Sequence, residues 1–121
     1  MTYVLLIYRT APPSERISDE AVKSALAGHR AVQAEAHGRG ELHAVAQLGE
    51  PHRAITVRRG PTAHEVTDGP YVETKEWLGG FALVEVPDDE TAKMWAGKVA
   101  EACGWPHEVR KFKPQPPPPA R

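Results

Sequence analysis

Apolar positions divide the chain into strand-like and helix-like stretches. Residues 2–9 read TYVLLIYR, with apolar side chains at both parities: Tyr3, Leu5 and Ile7 face one way, Val4, Leu6 and Tyr8 the other. A strand covered on one side alternates apolar with polar, so both faces of this one call for cover. Ala11-Pro12-Pro13-Ser14 breaks the run, and Ser18 or Asp19 opens a helix whose early carboxylates suit the helix dipole. Val22, Ala25, Leu26, His29, Val32, Gln33 and Ala36 fall on one helical stripe, which Gly38 and Gly40 end. Residues 42–48 and 54–58 are strands separated by Gly49-Glu50-Pro51, and a short strand over 64–67 precedes the turn Asp68-Gly69-Pro70. Gly79-Gly80 leads into a strand over 81–86, again apolar at both parities. Pro87-Asp88-Asp89 starts a second helix carrying Ala92, Trp95, Val99 and Ala102 on one stripe, Gly104 stops it, and residues 108–113 form a last strand.

The order β-α-β-β-β-β-α-β predicts an α+β domain: a ferredoxin-like antiparallel sheet with two helices on one face and an extra hairpin in the middle. The helices cover one face only. The double-sided strands at 2–9 and 81–86 therefore predict a homodimer in which a second copy packs sheet to sheet on the other.

A chain of 121 residues suits one domain. That domain is expected over residues 1–113. The remainder, 114–121, includes four consecutive prolines and reads as a disordered polyproline tail. Charged residues make up 26% of the chain but cancel to a net charge of -1, which argues against direct nucleic-acid binding over the whole surface. Cys103 is the single cysteine and has no CxxC or metal-ligand spacing around it. No apolar run approaches the about 18 residues that span a membrane. Met1-Thr2-Tyr3 lacks the basic start of a signal peptide, so a cytoplasmic location is expected.

Candidate chemistry centres on one histidine and one loop. His29 lies on the buried stripe of the first helix, where an imidazole needs a hydrogen-bonding partner. A carboxylate would make it a general base; a backbone carbonyl would make it a core histidine. Asp68 either caps its own Gly-Pro turn or presents a carboxylate to a cleft. Glu73, Lys75 and Glu76 follow closely, either as a solvated charge run or as paired carboxylates. The six histidines show no HxH or HExxH spacing, and no GxGxxG or P-loop pattern occurs. Neither a metal nor another cofactor is expected.

The stretch VTDGPYVETKE over 66–76, followed by Trp77-Leu78-Gly79-Gly80-Phe81, resembles the signature of the DGPF branch of the YCII-related proteins, with Tyr71 in place of the namesake phenylalanine. The resemblance implies a dimeric α+β barrel similar to muconolactone isomerase-like proteins. It also implies a histidine on the first helix acting with an aspartate as a catalytic dyad. His29, eleven residues before Gly40, matches that histidine, and Asp68 is the candidate aspartate. Tyr71, Glu73, Lys75 and Glu76 are the candidate binding residues. Two function classes stand open. One is a small isomerase- or lyase-like enzyme using His29 and Asp68. The other is a non-catalytic dimeric module that binds a small molecule or, as some resembling proteins imply, an extracytoplasmic-function sigma factor.

Overall fold

A computed structural model of the chain describes residues 1–9, 19–72 and 75–114. Strand β1 (Thr2–Arg9) leads to helix α1 (Asp19–Gly38) and strand β2 (Leu42–Gln47). A single 3-10 turn (Pro51–Arg53) precedes the hairpin of β3 (Ile55–Arg59) and β4 (His64–Asp68). Strand β5 (Trp77–Glu85), helix α2 (Asp89–Cys103) and strand β6 (His107–Lys111) complete the fold. Four strands form one antiparallel sheet in the order β2-β5-β1-β6, and β3-β4 forms a separate two-stranded sheet.

Local chemistry fixes the limits of α2. The Asp88 side chain accepts hydrogen bonds from the Thr91 backbone N–H at 2.8 Å and its hydroxyl at 2.6 Å, satisfying a free donor of the first turn. Asp89 and Glu90 add negative charge at the same end. Gly104, at φ 78°, closes the other end in the left-handed conformation that glycine adopts without a Cβ clash, its N–H bonded to the Ala100 carbonyl at 2.7 Å.

Cross-strand register sorts the double-sided strands. Tyr3 opposes Val84 and Leu5 opposes Ala82. These four side chains meet Ala36 of α1 and Ala92, Trp95 and Ala96 of α2 in one core, so both helices cover the same face. Complete burial of a side chain such as Leu5 contributes roughly 1.5–3 kcal/mol. Trp95, only 1% exposed, anchors the core and donates its indole N–H to Glu41. The alternate residues Val4, Leu6, Tyr8, Phe81 and Leu83 line the other face, half-buried. No described helix covers them.

Two expectations are corrected. The α+β composition, the antiparallel sheet and the two helices are present, but the α+β barrel is not: both sheets are open. The main sheet ends at β2 and β6 as free edges, and four strands are far short of the about eight whose closure leaves an interior filled by side chains. The extra hairpin expected in the middle of the chain is present and forms its own two-stranded sheet. The second correction concerns Gly79 and Gly80, which lie inside β5, not before it. A Cβ on Gly80 would sit 2.7 Å from the Ala46 carbonyl oxygen, so the close approach of β2 to β5 requires glycine there.

Candidate functional site

A cleft of about 860 Å3 opens at the end of the sheet where β1 finishes and β5 begins. Tyr8, Trp77 and Leu78 line it from the sheet, and residues 48–54 supply a second wall. That wall is pinned by backbone bonds: Leu48 N–H to the Gly79 carbonyl at 2.9 Å, Arg53 N–H to Glu50 at 3.0 Å and Ala54 N–H to Pro51 at 2.9 Å. Pro70, Tyr71, Val72 and Glu76 supply the third. The Asp68-Gly69-Pro70 turn is locked to the hairpin, with Gly69 N–H donating to Ala54 O at 2.7 Å and the Thr56 hydroxyl donating to Gly69 O at 2.7 Å. Arg58 stands 5.1 Å over the Tyr71 ring, a cation–π contact that orients the loop. The lining is mainly apolar and aromatic, with Glu50, His52, Arg53 and Glu76 as its charged or titratable groups. This is the composition of a small-molecule site.

His29 lies elsewhere. It is 4% exposed and lines a cavity of about 20 Å3 inside the core with Leu5, Ile7, Trp95, Val99 and His107. Its Nδ1 and the Nε2 of His107 are buried without a hydrogen-bond partner, while His107 Nδ1 sits 2.8 Å from the Trp105 carbonyl. The cavity exceeds the about 10–15 Å3 that one water needs. Burial first, then the charges of His107 and Arg9, lowers the pKa of His29; burial lowers that of His107 against the opposing pull of the Trp105 carbonyl. Both shifts favour the neutral rings. Burial likewise raises the Cys103 thiol above its ordinary value.

The sequence-predicted residues are thus divided. Asp68 is exposed at the end of β4 and lines neither cavity. No hydrogen bond or ion pair joins it to His29. Tyr71 and Glu76 line the large cleft; Lys75 is exposed and outside the lining. Glu73 lies outside the described residues. Sequence reasoning missed the 48–54 wall and the Trp77 contribution. The Gly-Glu-Pro sequence after β2 read as a simple turn, and only the tertiary fold brings it opposite Tyr71. His107 was seen as one of six histidines and not as the neighbour of His29. Among the described residues no cluster of three potential metal ligands occurs, and no helix is long and apolar enough to cross a membrane.

The match to the YCII-related domain covers residues 1–103. The chain belongs to the YCII-related domain family. An uncharacterized protein of Rhizobium meliloti (strain 1021) is 31% identical to it over 102 residues, 84% of this chain and 82% of that protein. Among solved structures, the YCII-related chain is similar to the 5-chloro-2-hydroxyhydroquinone dehydrochlorinase of Burkholderia phenoliruptrix AC1100, determined in complex with 2,5-dihydroxybenzoquinone. That similarity has a TM-score of 0.47 at 13% identity and covers 93% of this chain and 94% of the other.

Proposed function

We propose that this YCII-related chain is a small-molecule-binding module of the DGPF branch that works as a homodimer, with the cleft beside Tyr71 and Glu76 as its ligand site. The cleft carries the reading. At about 860 Å3 it has the size of a drug-scale ligand pocket, and its aromatic walls suit a flat, mainly apolar compound with one or two polar groups. The branch assignment rests on the 66–76 motif, whose Tyr71 and Glu76 line that cleft. Catalysis by His29 and Asp68 is the weaker reading. A base acting on a bound substrate must reach it, yet His29 is enclosed in the core and Asp68 sits on the exposed hairpin.

Pairing is supported by what one copy leaves bare. The hairpin exposes Ile55, Val57 and Val66 at 66%, 60% and 56%, and the adjoining Tyr71 is 72% exposed. Val57 and Val66 are direct cross-strand partners, so the surface is contiguous. Contiguous apolar surface of this kind marks an interaction site. The bare face of β1 and β5 is a second apolar surface, and a two-fold contact needs only one such patch, paired with itself in the second copy. Tyr71 and Val72 belong to both the exposed segment and the cleft wall, so a second copy would roof the ligand site.

The test uses 2-naphthol, a neutral aromatic probe, followed by backbone amide NMR on the full chain. Saturable shifts at Leu48, Tyr71 and Trp77, weakened about tenfold or more by Tyr71→Ala, are expected. Shifts centred on His29, or none that saturate, refute the cleft.

A further inference from the structure

Arg9 ends β1 on the helix-covered side of the sheet and does not line the cleft. Its guanidinium carbon lies 4.4 Å from the centroid of the Trp105 ring and 5.5 Å from that of Trp77. Trp77 is its cross-strand partner, and Trp105 comes from the link between α2 and β6. The backbone makes room for this arrangement. A Cβ on Gly79 would fall 2.9 Å from Arg9 Cγ and 3.1 Å from Nε, so only the missing side chain lets the arginine lie across the strand.

Indole contacts of this kind engage the faces of a guanidinium, whereas its five N–H groups point outward in its plane. Among the described residues none of those donors has an acceptor, and no carboxylate pairs with Arg9. The field of Arg9 reaches both His29 and Cys103, and the unpartnered ring nitrogens of His29 and His107 are buried on the same side of the sheet. Among the described residues, this half-buried cation with aromatic walls has no anionic partner.

We propose that Arg9, Trp77 and Trp105 form a binding site for the carboxylate of a small aromatic acid, held in the plane of the guanidinium. The planar fork matches a carboxylate through two parallel hydrogen bonds. The indoles offer apolar surface to the body of such an acid. A phosphate carries more charge to desolvate and has no use for those walls. The proposal is independent of the cleft reading; because Trp77 borders both sites, the test turns on Arg9 and Trp105.

The experiment titrates benzoate into the full chain, following the Arg9 Nε–H resonance and tryptophan fluorescence, with benzamide as the neutral isostere and inorganic phosphate as competitor. Saturable benzoate binding is expected. Arg9→Gln and Trp105→Leu should each weaken it about tenfold or more, and Arg9→Lys should weaken it while keeping the charge. Tyr71→Ala, which removes a cleft wall, should leave it unchanged. Thermal melts establish that each variant is folded; if Arg9→Gln is not, Arg9→Lys decides, and wild-type affinity in that variant overturns the proposal. Non-saturable binding, equal affinity for benzamide, displacement by equimolar phosphate or full affinity in folded Arg9→Gln also overturns it.

Discussion

Acidification from pH 7.5 to 5.5 should destabilise this protein through two particular side chains. His29 and His107 are buried around one small cavity, and burial lowers the pKa of each below the ordinary histidine value near 6.5. The unfolded chain therefore takes up protons near pH 6.5 while the folded chain does not. Stability from these rings is fully present above that value and is lost as pH falls toward their folded pKa values. In that window the unfolded state binds up to one extra proton per ring. The slope is then at most about 1.4 kcal/mol per pH unit for each and roughly 2.7 for the pair. One unit below 6.5 the loss is at most about 3 kcal/mol for the pair, set against the roughly 5–15 kcal/mol that holds a small domain folded. Urea denaturation at half-unit pH steps measures it directly. His29→Leu removes one titrating ring and an unpartnered buried nitrogen together, so it should cost little at pH 7.5 and roughly halve the slope. A wild-type midpoint that stays flat or rises between pH 7.5 and 5.5 refutes the reasoning. So does an undiminished slope in His29→Leu.

Further outcomes follow from single contacts. Gly80→Ala places a methyl 2.7 Å from the Ala46 carbonyl and should cost about 1–3 kcal/mol in urea denaturation, by forcing β2 from β5. Tyr3 donates its hydroxyl to Asp89, which with burial pushes its pKa up to about 12; ultraviolet titration should show a late tyrosine ionisation that moves earlier in Asp89→Asn. Light scattering at micromolar concentration should give a dimer mass, and Leu83→Glu on the bare sheet face should give a monomer. Deleting residues 114–121, most of which lie outside the described residues, should leave the melting temperature nearly unchanged.

The legible part of this fold is the part encoded by local period and by backbone chemistry. The stripe of Ala92, Trp95 and Val99 located the buried side of α2, and Gly104 marked its end, because helical spacing and a left-handed cap are local properties. The parity of Tyr3, Leu5 and Ile7 against Val4, Leu6 and Tyr8 separated two faces correctly, but parity does not say what lies above each. Gly79 and Gly80 misled because glycine in sequence signals a turn, whereas here it relieves contact with Arg9 and Ala46, which are distant in sequence. The same limit hid the site. Tyr71 and Glu76 stood out by motif, yet their partners across the cleft come from residues 48–54, and His29 met His107 from the far end of the chain. Barrel closure came from resemblance, and the open edges at β2 and β6 overturn it.

The inserted hairpin explains why binding residues and buried titratable groups occupy separate places. The turn from β2 leads outward into β3 and β4, and its return through Pro70 and Tyr71 leaves space at the sheet end that core side chains do not fill. An aromatic wall forms there at little cost to the core, because none of the buried core residues belongs to the hairpin. The helix-covered side is constrained differently. Close packing of α1 on α2, where a Cβ on Gly28 would lie 2.8 Å from the Ala102 carbonyl, leaves His29 room for about one water and no more. A substrate cannot enter that space without separating the helices. Changes at Tyr71 and Glu76 should therefore alter binding with little effect on stability, whereas changes at His29 should alter the pH dependence of stability. If His29→Leu abolished 2-naphthol binding while preserving the melt, the two regions would be coupled, and the separation argued from the hairpin would fail.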